Sequence, residues 1–309
     1  MTRVVLLKGG LSAERPVSLN SGKACASALR EKGYDVTEFD VSRDLAQLVA
    51  ALSPKPDAVF NALHGRWGED GCVQGLLELM QIPYTHSGVL ASALAMDKQM
   101  AKTVVATAGV TSPEGIVIKA KDLGDSDPLP RPYVVKPVRE GSSVGVRIVR
   151  EGDNQPPIAV HGWEPETDLL VEPFIAGREL TVGVMGDKPL AVTEIRPLGA
   201  GFYDYDAKYS EDAKVAAVHV VPAEVPEAIY AQAMDAALAA HDALGCRGVS
   251  RSDFRYDDTR GDAGHLYYLE TNTQPGMTST SLVPEQARYL GISFPDLCAW
   301  MVENAACDS

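Results

Sequence analysis

The sequence is short of positive charge. Its 309 residues carry 28 Lys and Arg against 42 Asp and Glu, a formal charge of −14 with the six His neutral. No basic run offsets this, and affinity for a phosphate backbone depends on clustered Lys and Arg, so the composition argues against a nucleic-acid partner. Long apolar runs are missing too. No segment reaches the ~18–20 apolar residues of a membrane-spanning helix, which argues against a membrane partner. Val4–Leu7 is too short for the apolar region of a secretory leader. Cysteine is sparse: Cys25, Cys72, Cys246, Cys298 and Cys307 are odd in number, scattered and without a CxxC pair. That pattern argues against a disulfide framework or a zinc site and for free thiols in a reducing cytoplasm. Repeats and low-complexity segments are also absent.

What remains is the balance of a soluble globular enzyme, 45% hydrophobic and 23% charged. The length leaves room for two or three domains. Arg3–Leu7 reads as a buried parallel strand entering a Gly9-Gly10 turn, and Val17, Leu19, Ala24, Cys25, Ala28 and Leu29 suit one helix face behind Pro16. A strand at Tyr34–Phe39, a helix at Arg43–Leu52 and a strand at Asp57–Leu63 complete a βαβαβ order. Such an order implies a doubly wound parallel sheet with its ligand edge at the strand C-termini. The loops at 9–15 and 64–71 should both lie there. Beyond a helix at Asp97–Ala108 the pattern becomes α+β. Short strands are expected at Gly115–Ile118, Tyr133–Lys136, Val144–Val149 and Asp168–Glu172, and a hairpin at Glu179–Met185 and Pro189–Glu194 turning at Gly186-Asp187. A helix over Val225–Leu244, strands at Val249–Tyr256 and Leu266–Thr271, and two C-terminal helices follow.

Four segments and one histidine could carry chemistry. Glu270 and Asn272, two apart at a strand end, project to one face, and Asp253 can join them from a neighbouring strand. Oxygen ligands with few carboxylates suit Mg²⁺, although acids at strand ends can equally be solvated. In KPVREGSSVGV (136–146) a strand delivers Lys136 into a loop of Gly and Ser whose amides could approach an anion. It is not a Walker A loop, and a plain surface turn would look similar. In GAGFYDYDAKY (199–209), Tyr203, Tyr205, Lys208 and Tyr209 suit either a water-excluding lid or an amphipathic surface loop. NTQPGMTSTSL (272–282) offers hydroxyl and amide donors for a carboxylate directly after the metal candidates. His64 follows a strand at the ligand edge and could orient an acid, move a proton or be purely structural.

Together GGLSAERPVSLNSG (9–22), HGRWGEDG (64–71), MDKQMAK (96–102), KPVREGSSVGV (136–146), GFYDYDAKY (201–209), SRSDF (250–254) and ETNTQPGMTSTSLVP (270–284) resemble the D-alanine–D-alanine ligases of the ATP-grasp superfamily, in the family's order over nearly the whole chain. The resemblance implies an ATP-grasp fold, α/β and α+β, in three domains: an N-terminal doubly wound parallel-sheet domain at 1–95, a small central one at 96–178 and a C-terminal one at 179–309. It also implies ATP-dependent joining of two D-alanines through an acylphosphate for peptidoglycan, in the cytoplasm, and leaves a homodimer open. Carried over by motif, Glu14 holds the first amino group with Ser142 and Tyr209, and Lys98 and Lys136 bind ATP phosphates. Glu172 and the backbone near Phe174 and Ile175 read adenine, and Glu179 the ribose. Asp253, Glu270 and Asn272 hold two Mg²⁺, with Mn²⁺ as a substitute. Arg251 and the Gly276 amide stabilise the oxyanion, and Lys208, Ser281 and Leu282 take the second carboxylate. The chain departs from the pattern at Pro173, where relatives carry Lys, at Trp67, where they carry Gly, and at Gln274, where Ser is usual. A ligase taking D-lactate or D-serine second is the nearest rival, and a non-catalytic nucleotide-binding protein a more distant one. Lys208-Tyr209 matches the dipeptide-forming members.

Overall fold

The structure, a computed structural model, describes residues 1–124, 126–141, 145–153, 162–197, 217–261 and 263–308. Strand β1 (Arg3–Gly9) sends Val4 and Leu6 into one core and Val5 and Leu7 into another, all fully buried. A strand covered on both faces needs apolar residues at successive positions, which explains the unbroken run. Helix α1 (Arg15–Glu31) covers the first face with Cys25, Ala28 and Leu29. Strand β2 (Asp35–Val41), helix α2 (Leu45–Ala51) and strand β3 (Ala58–Asn61) follow, and the three strands lie parallel in the order β2-β1-β3. Leu48 of α2 and Val73 and Leu77 of α3 (Cys72–Leu79) close the second face.

Helices α4 (Val89–Met96) and α5 (Lys98–Thr107) meet at Asp97, whose side chain accepts a hydrogen bond from the Met100 amide at 3.1 Å and so starts α5. An antiparallel sheet of β4 (Ile116–Lys119), β5 (Tyr133–Pro137), β6 (Arg147–Val149) and β7 (Asp168–Pro173) follows, in the order β4-β7-β5-β6. It closes on its own core of Tyr133, Val135, Leu169 and Val171. The sequence expects the third of these strands to start at Val144, a residue outside those described. The strand seen is shorter at its start: Gly145 has φ 71°, and a Cβ there would lie 3.0 Å from Trp163 Nε1.

A second antiparallel sheet is built from β8 (Arg178–Met185), β9 (Lys188–Pro197), β10 (Ala217–Val220), β11 (Val249–Asp257) and β12 (His265–Asn272), in the order β10-β9-β8-β11-β12. Helix α6 (Glu227–Ala243) lays Ile229, Ala233, Ala237 and Ala240 on it, against Val182, Val192, Phe254 and Tyr268. The sequence periodicity places this helix correctly but does not reveal β10. Helices α7 (Leu282–Tyr289) and α8 (Phe294–Glu303) end the chain, and α8 returns to the α1 side of the parallel sheet with Leu297, Cys298, Met301 and Val302. The first and last elements thus share one core. No helix among the described residues is long and apolar enough to cross a membrane.

Candidate active site

A cleft opens between the two antiparallel sheets. One end is apolar, with Pro113, Val134, Val146, Pro173, Phe174, Ile175 and Leu269, and the other is charged, with Lys98, Lys136, Glu140, Asp253 and Glu270. Glu172, Glu179 and Arg255 also line it. An apolar slot that runs into convergent cations suits a planar base joined to a phosphate chain.

The charged end is built by register. On β11 and β12, Asp253 sits opposite Glu270 and Arg251 opposite Asn272. Arg251 holds the Asp253 carboxylate as a fork, Nε to Oδ1 at 2.9 Å and Nη2 to Oδ2 at 2.8 Å, and Thr181 donates its hydroxyl to Oδ1 at 2.6 Å. Glu270 Oε2 lies 3.2 Å from Lys98 Nζ. The same ammonium donates to the carbonyl of Glu140, where the loop from β5 begins. Asn272 Oδ1 accepts the Gln274 backbone N–H at 2.9 Å, so its carboxamide is oriented.

On the facing sheet, Lys136 is the last residue but one of β5 and its Nζ lies 2.7 Å from Glu172 Oε2 on β7. Burial pushes the Lys136 ammonium down to about 8, which the negative charge of Glu270 opposes. Behind them, Lys102 packs its Nζ against Glu172 Oε1. At the apolar end Arg255 donates to the carbonyls of Ile175 (3.1 Å) and Gly177 (2.8 Å), lies over the Phe174 ring at 5.7 Å and stands 3.7 Å from Glu179. It fixes the strand connection on which Phe174 and Ile175 sit.

A second group gathers at the C-terminal edge of the parallel sheet, apart from the cleft lining. Glu14 precedes α1 and is buried, and a Cβ on either Gly65 or Gly141 would come within 2.7 Å of its Oε2. A side chain at either position would have to displace this carboxylate, and Gly65 also has φ 68°, which favours glycine. Glu69 points at the same Gly141. Burial first, and then the charge of Glu14, push the Glu69 carboxyl well above the usual range, toward its protonated form. His64 is buried with Nε2 3.4 Å from Ser21 Oγ and Nδ1 4.0 Å from Glu69, and burial drives its imidazole down to about 4, so it is neutral at pH 7.

The 272–282 run is stitched to this edge: Ser21 Oγ accepts the Met277 amide at 3.2 Å and Gln274 donates to the Gly68 carbonyl at 2.6 Å. Ser281 immediately precedes α7, and its hydroxyl turns back to accept the Thr278 amide at 3.0 Å, lying 3.1 Å from where a Gly276 Cβ would be. Leu282 is buried against Ile195, which leaves only its amide for a ligand. Ser142, Lys208 and Tyr209 lie outside the described residues. The sequence reading missed Lys102, Glu69 and Arg255. Each stands two to five residues from a residue it did single out, and that spacing was the available signal.

Two antiparallel sheets clasping such a cleft, carried by an N-terminal parallel sheet, define an ATP-grasp protein. Models of the D-ala D-ala ligase N-terminus and C-terminus match residues 45–87 and 121–303. The D-alanine–D-alanine ligase of Acidiphilium cryptum is 58% identical over 307 residues, 99% of each chain, and that of Methylobacterium radiotolerans 58% over 305 residues, 98% of each. The crystal structure of the D-alanine–D-alanine ligase from Bacillus anthracis complexed with ATP superposes with a TM-score of 0.82 at 29% identity, covering 98% of this chain and 97% of that one. The chain belongs to the D-alanine–D-alanine ligase family.

Proposed function

We propose that the protein joins two D-alanine molecules at the expense of ATP, releasing ADP and phosphate, with D-alanyl phosphate as the intermediate. The observation that carries this reading is the cleft in which Lys98, Lys136 and the Asp253–Glu270 pair meet at the end of an apolar slot. A carboxylate is a poor electrophile, so its oxygen first attacks the γ-phosphorus and ADP leaves. The amine of the second D-alanine then attacks the acyl carbon and phosphate leaves. Bringing two anions together needs cations at the point of contact, and Lys98 and Lys136 supply them.

Asp253, Glu270 and Asn272 form an all-oxygen donor set on adjacent strands, which fits Mg²⁺, with two ions expected and Mn²⁺ as a substitute. When bound, the metal neutralises phosphate charge. Arg251 and Lys98, which balance these carboxylates in the structure, are then free to face the substrates. Glu14 would take the first ammonium, with Ser142 and Tyr209 beside it. The Gly276 amide would face the developing oxyanion, and Lys208, Ser281 and the Leu282 amide the second carboxylate. The adenine would lie by Glu172, Phe174 and Ile175, and the ribose by Glu179.

The domain division 1–95, 96–178 and 179–309 and a cytoplasmic location, matched to unpaired thiols, belong to the same proposal, and a homodimer stays an expectation. ADP release and dipeptide formation should require D-alanine and Mg²⁺, fail with L-alanine and stop with EDTA. Equal turnover with D-lactate or D-serine as second substrate would reassign the specificity, and no ADP release with any of them would sink the reading.

A further inference from the structure

Glu172 is 2% exposed and has a lysine on each oxygen: Lys136 at 2.7 Å from Oε2, and Lys102 against Oε1. Lys136 lines the cleft; Lys102 does not. Lys102 comes from α5, one turn after Lys98, and is itself 6% exposed. Two lysines on one carboxylate leave one positive charge over. As long as the Lys102–Glu172 pair holds one proton it has no net charge, because ammonium with carboxylate and amine with carboxylic acid are both neutral, whereas burial alone would push Lys102 toward the amine. The surplus charge therefore belongs to Lys136, at the cleft wall.

We propose that Lys102 is a positioning residue for nucleotide binding: by neutralising Glu172 from behind, it lets Lys136 leave that carboxylate for a phosphate. Without Lys102, a departing Lys136 would strand a buried carboxylate, and the stranded charge would oppose binding. The inference rests on the nucleotide reading of the cleft and assigns the release of Lys136 to a residue that touches no ligand.

The test is calorimetric titration of the full chain with Mg²⁺ and either β,γ-imido-ATP or inorganic tripolyphosphate, which has no base to recognise, together with steady-state kinetics. Lys102→Met should weaken both ligands by about 10- to 100-fold, the value of a lost charge-assisted hydrogen bond. The KM for ATP should rise in step while kcat stays within about threefold. Lys102→Arg should restore affinity. Lys102→Met combined with Glu172→Gln removes both charges and should recover tripolyphosphate binding. If Lys102→Met does not fold, Lys102→Gln, which keeps a hydrogen bond to Glu172, should show the same loss. Wild-type tripolyphosphate affinity in the single variant, or no recovery in the double one, overturns the proposal. Failure of the wild-type chain to bind β,γ-imido-ATP would instead overturn the nucleotide reading beneath it.

Discussion

In the cleft between the antiparallel sheets, Glu172, Asp253 and Glu270 each face a lysine or arginine at 3.2 Å or less. At the edge of the parallel sheet two carboxylates instead approach each other. Glu14 and Glu69 converge on one glycine, and the nearby imidazole of His64 is held neutral by burial. The first region stores its charge as pairs that can exchange partners when a polyanion and its metal enter. The second brings two carboxylates together, and burial with the charge of Glu14 pushes Glu69 toward its protonated form; the proposed guest there is the ammonium of the first substrate. An acidic protein of charge −14 can thus gather cations around a nucleotide cleft, because the sign of the field is set within a few ångströms rather than by the whole surface.

The sharpest way to break this contrast is at the paired end. Glu270→Gln removes the proposed metal donor and the partner of Lys98, and ADP formation should fall by about 10³-fold or more with the fold intact, since charge-stabilising groups of this kind carry effects of that order. Near-normal turnover, measured by coupled ADP release alongside an unchanged circular dichroism spectrum, would remove the metal assignment. At the other wall, Glu14→Gln keeps the shape and deletes the charge. The KM for D-alanine should rise about 10- to 100-fold while ATP affinity, titrated separately, stays unchanged. A matching loss of ATP affinity would mean that the two regions are not independent.

How much of this was legible beforehand follows from what each residue announces. Val4–Leu7 reads as a strand buried on both faces because nothing else needs four successive apolar residues before a Gly-Gly turn, and the structure divides them between two cores. Asp253, Glu270 and Asn272 were visible because strand alternation is regular: Glu270 and Asn272 share a face two residues apart, and the register sets Asp253 opposite Glu270. Lys102 was not, since a lysine inside a helix is ordinarily solvated, and its burial appears only once α5, packed on the second antiparallel sheet, brings it to Glu172 on the facing one. Glu69 was hidden for a related reason. A second acid beside Glu14 makes no electrostatic sense until burial and protonation are known. Leu282 misleads in the opposite direction, because the motif position names a residue whose side chain is buried against Ile195.

The neutral imidazoles give a test in pH. His64 titrates at about 4 and His86 at about 3, both because burial disfavours the cation, against about 6.5 for an unfolded histidine. Between pH 6.5 and 4 the unfolded chain therefore takes up protons that the folded chain refuses, so stability falls as the solution is acidified through that window. For His64 alone the full loss is about 3 kcal/mol. The urea midpoint should drop between pH 7 and 4.5, and His64→Gln should flatten that drop. An equally steep profile in the variant would mean that His64 is charged when folded.

The smallest effect falls on Glu69, and it separates charge from shape. If burial and Glu14 keep its carboxyl protonated, Glu69 enters the site as a neutral group, and a carboxamide of the same outline should replace it. Glu69→Gln should then change the KM for D-alanine by no more than about threefold, against the far larger cost of the same chemical change at Glu14. Glu69→Ala, by contrast, opens a cavity beside Gly141 and should lower the urea midpoint. If Glu69→Gln instead raises KM as much as Glu14→Gln does, both carboxylates are ionised around the ammonium. The N-terminal wall would then hold its guest with two charges rather than one charge and a proton.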